Sequence, residues 1–292
     1  MGLSLVVRYR HHAEPRTRKP QFAVERNSFN FTLVTKVGGV TSDDGVDELV
    51  ARPEVGRIYQ ARRRVRLADS SPGGRLRLDA AARYLQDIAN DDSRDAGTPN
   101  PTAWVARRTV IRVDAFPRYL DMLSLRTWCS GLGPRWAERR YSTVADEPGD
   151  GRFESATLWV HIDMATMKPI GLPDGFAEQF GAAAGGRRVR ARQQLPSRPP
   201  DGPVTTSPWP LRFVDFDVLG HVNNSVYWAM VEQQMADQRS VRAPMTVTLE
   251  HHDGIAVGDE VVVTAAQTAD GFDLWVRCSD DRLAAVVRAT TA

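Results

Sequence analysis

Residues 212–232 read RFVDFDVLGHVNNSVYWAMVE, and this stretch decides the fold. It gathers Asp215, Asp217, His221, Asn223, Asn224 and Glu232 around one glycine, Gly220, where a short expected strand at 210–214 gives way to a helix. Asn favours helix N-caps, and Asp favours turns and the positive end of the helix dipole. Capping accounts for one or two of these polar residues but not for a histidine beside them. A helix N-terminus also presents unpaired backbone N–H groups that can polarise an acyl carbonyl, and a carboxylate and an imidazole four residues apart can then activate water. The spacing alone leaves both readings open, local capping and an acyl-transfer site.

Working outward, the chain opens twice in the same way. Residues 58–67 (IYQARRRVRL) read as a strand, a turn follows at 70–74, and in LRLDAAARYLQDIANDD the positions Leu78, Ala81, Ala82, Leu85, Ile88 and Ala89 fall at helical spacing. In the second helix Val226, Ala229, Met230 and Gln233 are expected to share a face. Each helix is followed by four strand-like segments, at 104–113, 123–129, 136–144 and 157–163, then at 245–251, 260–266, 272–278 and 283–288. A strand, one central helix and four strands, repeated, predicts a duplicated α+β fold, two antiparallel sheets each wrapped around a central helix. One such unit leaves a sheet edge uncovered, so the pair is expected to meet edge to edge.

The boundaries follow from composition. Residues 1–55 hold no sustained period and read as a mobile arm or as a stretch ahead of the natural start; 56–180 form the first repeat, 181–206 a Gly-, Arg- and Pro-rich linker, and 207–292 the second repeat with the chemical loop. With 292 residues, 42% hydrophobic and 25% charged, the chain can bury a core. No long apolar run suggests a membrane span or a signal-peptide core, so the expected compartment is the cytoplasm. Cys129 and Cys278 lie far apart without a metal-binding spacing and are expected to be plain buried thiols. All but three basic residues are arginine, yet 38 basic against 36 acidic residues, a net charge of +2, do not describe a nucleic-acid binder.

The loop resembles the hotdog-fold thioesterase signature, in which Asp-x-x-Gly-His-Val-Asn-Asn precedes a helix bearing a Tyr and then a Glu. LDAAARYLQDIANDDSRDAG, WVARRTVIRVDAFPRYLD and LSLRTWCSGLGPRWAERRY are similar, in order, to the first half of the acyl-ACP thioesterases. The resemblance runs from about Ile58 to Arg288 and implies a tandem (double) hotdog that hydrolyses fatty acyl-[acyl-carrier protein], with an acyl-CoA thioesterase or a non-catalytic acyl-binding protein as alternatives. It implies no metal and no organic cofactor, an acidic carrier protein as partner, and leaves a homodimer open. Position by position it implies that Asp217 activates water, that His221 orients water or substrate, that Asn223 and Glu232 stand at the same site, and that backbone N–H groups near Gly220 and His221 hold the oxyanion. Tyr84, Leu85, Ile88 and Trp104 are the expected acyl-pocket residues, and Arg107, Arg108, Arg187 and Arg188 the expected rim for an acidic partner.

The departures are specific. Plant-type members read Asn-Gln-His where this chain has Leu219, Gly220 and His221, and their Glu-Cys pair falls near Gly254 and Ile255. No cysteine nucleophile is expected, and hydrolysis driven by a carboxylate is favoured. The spacing from Asp217 to His221 also disfavours the hydratases built from hotdog repeats, which place their His five residues after the Asp. His251 and His252, adjacent on a strand, are expected to point to opposite faces and to be solvated or satisfied rather than to share a metal. The turn at 70–74 has no histidine, so one site per chain is expected.

Overall fold

Both halves of the chain run through one order of elements, which the computed structural model describes for residues 49–98, 104–146, 149–238 and 241–291. The arm expected at 1–55 lies almost wholly outside the described residues. The first half gives β1 (Tyr59–Arg64), α1 (Leu78–Asp95), β2 (Trp104–Ala115), β3 (Met122–Leu132), β4 (Trp136–Ala145) and β5 (Arg152–His161), followed by a short α2 (Phe176–Phe180). The second gives β6 (Val204–Trp209), α3 (Asn224–Gln238), β7 (Met245–His251), β8 (Val261–Gln267), β9 (Gly271–Cys278) and β10 (Leu283–Thr291). The strand expected at 210–214 is therefore displaced. The strand proper is β6, and Phe213–Asp215 is a 3-10 turn closed by Asp215, whose Oδ2 accepts the Arg212 amide at 2.8 Å.

The strand order β1-β3-β4-β5-β2-β7-β10-β9-β8-β6 repeats itself when followed inward from either edge. The expected edge-to-edge meeting is made by β2 and β7, antiparallel from Arg108↔Glu250 to Val113↔Met245. That ladder corrects the expectation of two sheets: the joined edges make one ten-stranded antiparallel sheet. The outermost strands are protected in the ways edges require. β1 carries Arg62, Arg63 and Arg64, and the exposed β6 carries Pro208.

The two long helices lie side by side and share one core with the sheet. Leu78, Ala81, Leu85 and Ile88 of α1, at the expected spacing, join Trp228 and Val231 of α3 and Ile111, Val247 and Leu249 of the central strands. The expected stripe on α3 is corrected. Ser225, Tyr227, Trp228, Met230, Val231 and Met235 are its buried residues, whereas Val226 and Ala229 are only partly covered and Gln233 is exposed. A helix wedged between a sheet and a second helix buries more than one stripe.

The segment read as a linker is an ordered strap across the sheet's other side. Trp136 donates its indole N–H to the Val189 carbonyl at 2.9 Å, Arg108 donates to Arg192 O at 2.8 Å, and Trp275 donates to Pro196 O at 2.8 Å. Glu250, fully buried, accepts the Gln194 and Leu195 amides at 2.7 and 3.1 Å and lies 3.8 Å from Arg108, its neighbour across the seam. Burial pushes its carboxyl up, against the opposing pull of those amides and arginines. Removing one partner of a buried ion pair leaves the other charge uncompensated. Glu250→Ala should therefore lower the unfolding free energy by about 3 kcal/mol in urea titration; a loss below about 1 kcal/mol would show that the seam does not rely on this pair.

Candidate active site

The loop ahead of α3 has a structural twin ahead of α1. In the first repeat Arg66 N donates to Asp69 Oδ2 (3.1 Å), Arg77 N to Asp69 O (2.9 Å) and Gly74 N to Ser71 O (2.9 Å). In the second, Arg212 N donates to Asp215 Oδ2 (2.8 Å), Asn223 N to Asp215 O (2.9 Å) and Gly220 N to Asp217 O (3.0 Å). Gly74 and Gly220 have φ of +78° and +75°, a backbone region that favours glycine. On this superposition Ser71 and Arg75 stand where the second repeat has Asp217 and His221.

That substitution explains Glu232. Arg75 reaches across to α3 and grips Glu232 in a bidentate pair at 2.8 and 2.7 Å, while Glu232 Oε1 also accepts the Leu78 amide at 2.6 Å. The carboxylate expected at the site thus caps α1 and ties the repeats together. Asn223 is likewise a cap: its Oδ1 accepts Ser225 N at 2.9 Å and Ser225 Oγ at 2.8 Å. The capping reading of the sequence applies to Asn223, and Asp215 and Glu232 are likewise held by structural hydrogen bonds.

Asp217, His221, Asn224 and Tyr227 line a cavity of about 410 Å³. Its other walls are Trp104, Val105, Ala106 and Arg107 of β2, Arg135 and Trp136 at the start of β4, Val160 and Ile162 at the end of β5, Met164, Met167 and Pro169 beyond it, and residues 251–254 at the end of β7. The lining thus brings Asp217 and His221 of the second repeat together with side chains of the first that are mainly apolar but include Arg107 and Arg135. Of the four expected acyl-pocket residues only Trp104 lines it, packed against Phe176 with ring centroids 5.1 Å apart. Leu85 and Ile88 are core residues, and the Tyr84 hydroxyl donates to Asp69 at 2.7 Å beside the arginines of β1. The methionines and the turn after β5 carry no periodic signal, which is why the sequence does not point to them.

Asp217 is held by its turn. Its Oδ1 accepts the Leu219 amide at 2.9 Å and its own N–H donates to His221 O at 2.9 Å; no hydrogen bond among the described residues engages its second carboxylate oxygen. His221 packs against Gly254, where an added Cβ would stand 3.0 Å from its Cδ2. The Gly220 N–H expected to hold an oxyanion is committed to Asp217 O, so that assignment is corrected.

His251 and His252 both border the cavity, and burial pushes their imidazoles down to about 3 and about 4. Burial also pushes Asp253 upward. Cys129 and Cys278 are buried thiols pushed up to about 11, and Ile255, near the place of the plant-type cysteine, is fully buried. Among the described residues no group of three or more His, Cys, Asp or Glu is placed to hold a metal ion, and no helix is long and apolar enough to cross a membrane.

The expected arginine rim is largely redirected. Arg108 is buried at the seam, Arg187 pairs with Glu138, and Arg107 lines the cavity and donates to His251 O at 2.8 Å; Arg188 alone of the four is exposed.

The duplicated helix-in-sheet unit is a tandem hotdog fold, and Asp217 and His221 of its second repeat line a cavity at the seam. The family model for the acyl-ACP thioesterase N-terminal domain matches residues 56–180, and that for the C-terminal domain matches 200–286. The chain belongs to the acyl-ACP thioesterase family. A Mycobacterium tuberculosis protein described as uncharacterized is 30% identical over 242 residues, 82% of this chain and 95% of that one. In fold, the chain is similar to a 12:0-ACP thioesterase from Umbellularia californica (TM-score 0.67, 17% identity, 80% of this chain and 96% of that one). It is similar also to an acyl-ACP thioesterase from Bacteroides thetaiotaomicron (TM-score 0.64, 18% identity, 80% and 97%).

Two outcomes follow from this geometry. Gly254→Ala should displace the His221 ring and lower kcat/KM about tenfold or more with little loss of stability; an unchanged kcat/KM would mean that the ring's seat does not matter. Glu232→Gln should keep kcat within about threefold while costing about 1–3 kcal/mol of stability, because it weakens a charged pair and a helix cap. A collapse of kcat in a protein of unchanged melting temperature would return Glu232 to the chemistry.

Proposed function

We propose that this protein hydrolyses fatty acyl-[acyl-carrier protein] to free fatty acid and the carrier thiol. The observation that carries the reading is the seam cavity, whose lining includes Asp217 and His221 together with Trp104, Trp136, Val160, Ile162, Met164 and Met167. Such a lining suits an alkyl chain, and methionines adapt to its shape. The thioester carbonyl then sits beside Asp217 and His221. Asp217 takes a proton from a water molecule whose oxygen attacks the carbonyl carbon, and His221 orients the water. The tetrahedral intermediate collapses with cleavage of the C–S bond, and the proton held by Asp217 passes to the departing sulfur, which restores the carboxylate. Buried thiols with raised pKa values are poor nucleophiles, which favours this carboxylate route over a cysteine one. Membership of the acyl-ACP thioesterase family supports the carrier protein as donor over coenzyme A.

The test is thiol release from acyl-ACP and acyl-CoA of matched chain length. The carrier-linked substrate should be preferred, and Asp217→Asn should lower kcat by about 10²–10⁴-fold in a folded protein, with Cys278→Ala as a control that keeps its rate. Preference for acyl-CoA would identify a coenzyme A thioesterase, and retained turnover in Asp217→Asn would remove that carboxylate from the mechanism. Binding without turnover in the native chain would identify an acyl-binding protein.

A further inference from the structure

Several backbone donors of the loop that carries Asp217 are committed within the protein. Asp217 N donates to His221 O, Leu219 N to Asp217 Oδ1, Gly220 N to Asp217 O, Val222 N to Ile255 O, Ser225 N to Asn223 Oδ1 and Val226 N to Asn223 O. Acyl transfer nevertheless develops negative charge on the carbonyl oxygen, and preorganised donors aimed at that charge are a large part of catalysis. A side-chain donor that lines the same cavity can supply the hydrogen bond these committed amides do not. The end of β7 lies beside this loop, with Val222 N donating to Ile255 O and the His221 ring packed on Gly254.

We propose that His251 is a catalytic residue of this site, its neutral imidazole donating an N–H hydrogen bond to the oxyanion of the tetrahedral intermediate. The inference rests on the thioester-hydrolase reading and adds a residue to it. His251 lines the cavity, and no hydrogen bond among the described residues engages its ring nitrogens. The ring stands edge-on to Tyr227, centroids 5.0 Å apart and planes at 89°. Its main chain is clamped, since His251 O accepts Arg107 Nη1 at 2.8 Å and Gln193 Nε2 at 3.3 Å. Burial first, then the Arg107 charge and His252, pushes the imidazole down to about 3, so at neutral pH it keeps one N–H and carries no charge. A neutral donor polarises a carbonyl without becoming an acid that would protonate Asp217. The atoms balance as before: His251 lends a hydrogen bond while the oxyanion exists and gives up no proton.

The test compares His251→Ala with His251→Gln, whose amide N–H can replace the imidazole donor. With acyl-ACP, His251→Ala should lower kcat by about 10²–10³-fold with KM changed less than about threefold, and His251→Gln should recover at least tenfold of that loss. A trifluoromethyl ketone analogue of the acyl chain, whose gem-diol hydrate mimics the tetrahedral intermediate, should lose affinity in His251→Ala by a factor similar to the loss in kcat/KM. A thioether analogue, which has no such tetrahedral centre, should bind unchanged. The proposal is overturned if kcat survives in His251→Ala, if the Ala and Gln variants are equally impaired at equal melting temperature, or if both analogues lose affinity alike. Should the native chain hydrolyse no thioester, the function proposed above fails, while the ketone-against-thioether comparison still decides the role of His251.

Discussion

The antiparallel ladder between β2 and β7 is the contact on which the rest of this structure depends. It converts two units, each with an open edge, into a single sheet whose edges, among the described residues, are β1 and β6. It brings the start of β2 beside the end of β7, so residues 104–107 and 251–254 become walls of one cavity. The Arg108–Glu250 pair and the strap lie at the same seam, and the Arg75–Glu232 clasp joins the repeats at their helices. Each device uses charge that would be costly to bury alone, and each finds its partner in the other repeat or in the strap between them.

Duplication followed by divergence is visible in atomic terms. Two turns with the same hydrogen-bond pattern carry Asp217 and His221 in one copy and Ser71 and Arg75 in the other. The second pair offers no carboxylate. Arg75 instead pairs with Glu232, so the first turn ties the repeats together.

The sequence was most legible where local chemistry dictates geometry. The glycine at positive φ, the asparagine cap and the polar cluster of residues 215–224 all belong to a single turn, and the α1 stripe follows directly from helical spacing. It was least legible where distant residues decide. One sheet instead of two depends on β2 finding β7. The strap has the composition of a linker, and what orders it are Trp136, Arg108, Glu250 and Trp275, far away in sequence. The exposed β6 carries no alternating pattern, which put its expected position a few residues too late. At the site, Tyr84, Leu85 and Ile88 look like pocket residues by type but are taken up by an ion-paired turn and the core, whereas the true walls come from strand ends and a turn. His251 follows the same logic: strand alternation suggests a satisfied side chain, and only the cavity gives its ring a function.

If each chain holds one working cavity at the seam, served by the second repeat's loop, titration calorimetry with a non-hydrolysable thioether analogue of acyl-ACP should find one equivalent bound per chain. Binding should vanish once Ala106→Trp fills the cavity from the β2 side in a folded protein. Two equivalents per chain, or one that Ala106→Trp leaves undisturbed, would contradict that arrangement.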